Sequence, residues 1–156
     1  MQTEPLLYEA YITTGKVYTV YRNFPLDFHA NAVPAAKAAW CAGQQDPRHF
    51  WTMHDWLFAN QANWQSANNA ADQFRNQAIG LGVDGNAYDA CLADEKSQAA
   101  IDKDVADGAK LGVRGTPAFF LYPVDASGKL GDAKPLSGAL PFAQFAQVID
   151  GLLAGQ

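Results

Sequence analysis

Few residues in this chain could do chemistry, and most of them stand alone. There are two cysteines, Cys41 and Cys91, and three histidines, His29, His49 and His54. The cysteines are far apart, so no C-x-x-C pair occurs. Cys41 sits in Ala-Trp-Cys-Ala-Gly and Cys91 in Asp-Ala-Cys-Leu-Ala, both helical in pattern. Neither starts a helix or stands beside a basic residue, the settings that activate a thiolate, so a catalytic pair is disfavoured. Two readings stay open: a structural disulfide between helices, closing a long loop, or two buried free thiols acting as small hydrophobes. The spacing of His49 and His54 does not put both on one helix face, as i, i+4 metal ligands would be. No metal site and no cofactor motif is predicted. His54 lies in Phe-Trp-x-x-His-x-Trp-Leu-Phe and reads as a core histidine bonded to a carbonyl. A Cys-His protease pairing of Cys41 with His54 lacks a local signature. The aromatic group Phe50, Trp51, Trp56, Phe58 and Trp64 has helical spacing, so core packing is the default over a ligand box.

One further stretch bears on chemistry: Arg114-Gly115-Thr116-Pro117, running into the apolar Ala118-Phe-Phe-Leu-Tyr122. Proline has no N–H to donate, so it belongs at the start of a strand rather than inside one. Arg114 reads first as a cap on the preceding helix and second as a contact for an acidic substrate group.

The elements that must position these residues follow from periodicity. Pro5 to Ile12 has the spacing of a short helix, with Gly15 past its end. Residues 16 to 24 are β-branched or aromatic almost without a break and predict a strand covered on both faces. Five helices follow: Pro34 to Gly43, His49 to Gln61, Asn69 to Leu81, a helix capped by Asp84 and ending at Ala93, and Glu95 to Leu111. Strands are predicted over Pro117 to Tyr122 and Lys134 to Ser137, with turn chemistry at Asp125 to Gly128. Phe142, Phe145, Val148, Ile149 and Leu152 form one stripe of a closing helix, Pro141 to Leu153.

Bulk properties narrow the class. A chain of 156 residues, 49% apolar and 17% charged, predicts one globular domain over 1–156. A net charge of −5 argues against nucleic acid or an anionic membrane as main partner. No apolar run approaches the roughly 20 residues that span a bilayer.

The order helix, strand, helical insert, strand, strand, helix resembles the DsbA-like thiol–disulfide oxidoreductases of the thioredoxin superfamily. The resemblance rests on TGKVYTVYRNFPL at 14–26, HFWTMHDWLF at 49–58 and LGVRGTPAFFL at 111–121. It implies an α/β thioredoxin-like fold with a helical insert at about 34–112. It also implies a cis-proline loop in which Gly115, Thr116 and Pro117 bind extended protein or peptide substrates. The family's redox cysteines cap the first helix, after a central strand. Here that strand and the C-x-x-C have no counterpart, so an N-terminally truncated chain without dithiol activity is expected.

An unpaired edge left by that strand predicts a homodimer or strand-swapped assembly. The location implied is extracytoplasmic for the full-length protein, or cytoplasmic if Met1 is the true start. Two other functions compete: a glutathione-dependent isomerase or transferase of the same superfamily, and a non-catalytic peptide-binding module.

Overall fold

The computed structural model describes residues 3–155. Its backbone divides into two compact units: residues 3–21 with 113–155, and residues 22–112.

The first unit begins with α1 (Glu4–Leu7), which continues as a π-helical turn over Tyr8–Ile12. Pro5 stands in the first turn, where its missing N–H costs nothing. Strands β1 (Ala118–Leu121) and β2 (Lys134–Ser137) pair antiparallel, with Ala118 opposite Ser137 and Leu121 opposite Lys134. The turn between them is built on Asp125. Its carboxylate accepts from the Ser127 and Lys129 backbone N–H groups, at 2.9 and 3.0 Å. The Ser127 hydroxyl and these backbone donors hold the Asp125 carboxyl below its usual range. Past β2, the closing helix spans Phe142–Ala154; in chain order it is α8. Of its predicted stripe, Phe145 and Ile149 are buried and Phe142, Val148 and Leu152 are half-buried. Phe119 of β1 meets Phe145 edge-on, centroids 4.8 Å apart, a favoured aromatic geometry. The Tyr11 hydroxyl donates to Asp150 at 2.9 Å, tying the π-turn to α8. Burial, then that carboxylate, raise the Tyr11 phenol above its ordinary range.

The second unit is all helical: α2 (Ala32–Gly43), α3 (Pro47–Ala59), α4 (Gln61–Trp64), α5 (Ala70–Gly80), α6 (Gly85–Ala93) and α7 (Glu95–Lys110). Five of the six lie close to the predicted helices. The short α4 was not foreseen. The core joins Ala35, Ala38, Ala39 and Ala42 of α2 with Met53, Leu57, Trp64, Phe74 and Tyr88. Gly43 sits where a Cβ would come within 2.8 Å of the Phe50 Cβ, so α2 turns into α3 at a distance only glycine allows. Asp46, Asp84 and Asp94 cap α3, α6 and α7, accepting from the backbone N–H groups of Arg48, Ala87 and Lys96. Each satisfies one of the orphan donors at a helix start. Arg75 of α5 chelates Asp89 of α6, with its Nη2 at 2.8 Å.

The predicted strand at 16–24 did not form. Residues 17–26 form no helix, strand or turn. Tyr18 is 91% exposed and Val20 61%, the reverse of a strand covered on both faces. Strand composition describes a residue that suits a pleated surface. It does not supply the neighbour whose N–H and C=O groups complete the ladder. The segment's fixed point is Asn23, whose backbone N–H and side-chain amide both donate to Asp104 Oδ2, at 2.9 and 3.1 Å.

Asp46 gives a pH-dependent contribution with a defined sign. Hydrogen bonds from the Arg48 guanidinium, then from its backbone N–H, hold the carboxyl down to about 2. A depressed folded-state pKa stabilises the protein above the ordinary carboxylate range, and that stabilisation is lost as pH falls toward about 2. Asp46→Ala should therefore lower the thermal midpoint near neutral pH, with the gap to wild type closing as the pH is taken down to about 2. A gap independent of pH would show that the carboxylate is not what stabilises the start of α3.

Candidate functional site

The loop that was predicted to carry substrate contacts lies at the start of β1. Helix α7 gives out at Leu111, and Gly112 turns the chain at φ +80°. Arg114, Gly115, Thr116 and Pro117 are all exposed. The Thr116–Pro117 peptide is cis. The Pro117 carbonyl accepts from the Gly138 N–H at 2.9 Å, which continues the β1–β2 ladder by one bond. Gly138 does this at φ +88°, a left-handed conformation that favours glycine. The loop is thus anchored on its β2 side, and among the described residues β1 pairs with β2 alone.

Arg114 does not cap a helix. It makes no hydrogen bond or ion pair among the described residues, and two of the last carbonyls of α7 are met instead by backbone N–H groups, Leu111 N to Asp107 O and Gly112 N to Ala109 O.

The cysteines form a disulfide, Cys41 to Cys91, with Cα atoms 5.7 Å apart and 50 residues of separation. Cys41 is fully buried in the alanine-rich face of α2. No free cysteine remains. A nucleophilic role for Cys41 beside His54 therefore lacks its thiol.

The histidines stay apart in role. His54 is buried as expected, with Nδ1 2.9 Å from Asp55 Oδ1. Phe58, Trp51 and Phe50 surround its ring at 4.8, 5.5 and 6.1 Å. His49 buries Nδ1 without a hydrogen-bond partner. His29 is exposed and lies against Phe28 at 4.4 Å.

The aromatic group divides. Trp64 is core, its Nε1 donating to Leu57 O at 2.8 Å and its ring edge-on to Phe74. Trp56 also meets Phe74. Trp51 and Phe58 are on the outer side, each at least 40% exposed.

Comparison with known proteins bears on this geometry. Residues 2–128 match the protein family described as thioredoxin. The chain belongs to the thioredoxin family. Among solved structures, two variants of alpha-DsbA1 from Wolbachia pipientis share the fold, with TM-scores of 0.79 and 0.80 at 24% identity. The alignments cover 99% of this chain and 76 to 77% of theirs. The fold is therefore thioredoxin-like with a helical insert, as the motifs implied. Curated relatives include Na(+)/H(+) antiporter NhaA 1 of Salinispora arenicola, 38% identical over 122 residues, and Na(+)/H(+) antiporter NhaA 3 of Salinispora tropica, 36% over 121. Each alignment takes in 77% of this chain and only 18% of the antiporter. Among the described residues, no helix is long and apolar enough to cross a membrane.

One residue escaped the sequence reading of this thioredoxin-family chain. Tyr88 is fully buried and its hydroxyl has no hydrogen-bond partner. Burial, then the charge of Asp89, push its phenol above the ordinary range. Helical spacing would place Tyr88 inward; nothing in the spacing says that its hydroxyl goes unpaired.

The disulfide closes a loop whose length puts its contribution at about 4 kcal/mol on the chain-entropy argument. Cys41→Ala with Cys91→Ala should lose roughly 2–4 kcal/mol in urea unfolding. The intact wild-type mass should rise by about two hydrogens on reduction. Equal urea midpoints would remove the bridge from any stabilising role.

Proposed function

We propose that this chain is the substrate-holding portion of a DsbA-like thiol–disulfide oxidoreductase, and that it binds extended polypeptide without itself exchanging disulfides. The observation that carries this is the exposed Gly115-Thr116-Pro117 loop leading into a β1 that has a ladder on one side only. An extended peptide beside β1 would find unpaired main-chain groups, the mode of recognition that strand addition uses. Exposed Arg114, with no hydrogen-bond or ion-pair partner among the described residues, is placed to favour acidic groups on such a peptide.

Redox turnover is absent from the reading because both sulfurs are consumed in one bridge. Thiol–disulfide exchange needs a thiolate, and this one pair is a buried cross-link between helices. The bridge itself favours an oxidising, extracytoplasmic setting for the protein.

The free side of β1 also supports a second element of the reading: a strand contributed by another copy of the chain, giving a homodimer. The apolar character of β1, Ala-Phe-Phe-Leu, is the kind of edge that recruits a partner unless it is blunted by charge or proline.

Three measurements test these statements. In an insulin-reduction assay the chain alone should give no turnover, while a labelled unfolded peptide should bind saturably in fluorescence anisotropy. Thr116→Arg should weaken that binding by about tenfold or more, since a bulky charged group then occupies the approach to the loop. Turnover, or binding indifferent to Thr116, would sink the proposal. Light scattering should separately report a mass near twice 16.9 kDa; a monomer would overturn the homodimer and leave the peptide reading to stand on the anisotropy result.

A further inference from the structure

The helical unit carries a cleft that the loop chemistry does not use. It lies between α2, α5, α6 and α7, with a volume of about 340 Å3. That is at the small end of the range for ligand pockets, about 300–1,000 Å3. Its apolar lining includes Pro34, Phe74 and Leu92; its polar lining is Lys37, Tyr88 and Gln98.

The charge balance of this cleft is one-sided. No acidic residue lines it. Lys37 is half-buried, and its ammonium makes one hydrogen bond, to Leu92 O at 3.0 Å. It has no carboxylate partner among the described residues, although the chain as a whole is acidic, at −5. An ammonium has three protons to give, so two remain for a ligand. Gln98 is occupied differently: its Nε2 donates to Asp102 at 2.8 Å. Tyr88 adds the second anomaly, a fully buried residue of the cleft wall whose hydroxyl has no hydrogen-bond partner among the described residues. Buried polar groups in native proteins almost always have partners, and an orphan calls for one.

We propose that this cleft binds a small amphipathic carboxylate, with the carboxylate at Lys37, the Tyr88 hydroxyl as a second donor, and the apolar body against Phe74 and Leu92. The pairing is complementary in each part: an unneutralised cation and a phenol face an anion, and apolar wall faces hydrocarbon. The site is independent of the Thr116–Pro117 loop, so its fate does not follow that of the peptide reading.

Isothermal titration calorimetry of the full chain with octanoate, below its micelle concentration, tests this, with octanol as the neutral probe of equal chain length. Octanoate should bind saturably at one site per chain, and octanol at least tenfold more weakly. Lys37→Gln should weaken octanoate by about tenfold or more and leave octanol unchanged. Tyr88→Phe should weaken octanoate by a few fold. Ala71→Trp, at the exposed mouth of the cleft, should block both probes; circular dichroism confirms that each variant is folded. Absence of saturable octanoate binding overturns the proposal. So does octanol binding as tightly as octanoate to the wild type, a comparison that stands even if a variant fails to fold. Octanoate affinity unchanged in Tyr88→Phe overturns the assignment of the second donor.

Discussion

Helix α2 shows its neighbours little but alanine, and the helical unit is arranged around that. Ala35, Ala38, Ala39 and Ala42 are all buried, and α2 touches α3, α5, α6 and α7. A face of methyl groups lets several helices come close, but it fills little space by itself. The volume has to come from across the contact, and it does, from Met53, Leu57, Phe74 and Tyr88. Interiors are packed to near-crystalline density, so such a division of small and large leaves each partner little freedom. The Cys41–Cys91 bridge stitches the same face to α6, and the Lys37 bond to Leu92 O repeats the link nearby. The disulfide and one of the lysine's three donors together hold a single pair of helices in register.

What the residues disclosed in advance depended on whether the cause was local. Helix starts were legible where a capping aspartate stood at the right place: Asp84 was read correctly. The start of α3 lies two residues before the expected His49, at the Asp46-Pro47 signal. Strands at 117–122 and 134–137 were legible because apolar runs bounded by turn residues meant the same thing in sequence and structure. Residues 16–24 failed because a strand is a relation between two segments, and only one of them can be seen in composition. Arg114 failed for a similar reason. Its side chain reaches none of the last carbonyls of α7, two of which take backbone N–H groups from Leu111 and Gly112. His54 was placed correctly inside, but its partner, Asp55, was its own neighbour in sequence and went unweighed.

The family assignment and the local chemistry divide in the same way. The Gly-Thr-Pro turn is short, contiguous and specific, so it identified the fold from a handful of residues. The cleft beside Lys37 is assembled from four helices, with each lining residue unremarkable in its own stretch of sequence. Spacing along one helix cannot report what three others bring to the same place. Sites of that kind become visible only when a buried polar atom is checked for a partner.

The Tyr11–Asp150 hydrogen bond has a consequence for how the chain assembles. It joins two elements of one unit that are separated in sequence by the whole of the other, residues 22–112. Closing a flexible loop of about 90 residues costs roughly 4 kcal/mol beyond a constant term. The helical unit closes long loops of its own, since Asn23 reaches Asp104 across 81 residues, so chain entropy weighs on both units. What differs is that the Tyr11–Asp150 contact spans the whole sequence of the other unit. Once residues 22–112 are folded, most of that span is no longer free chain, and the contact closes at lower entropic cost. The π-turn at Tyr8–Ile12 therefore gains its tie to α8 most cheaply after the helical unit has formed.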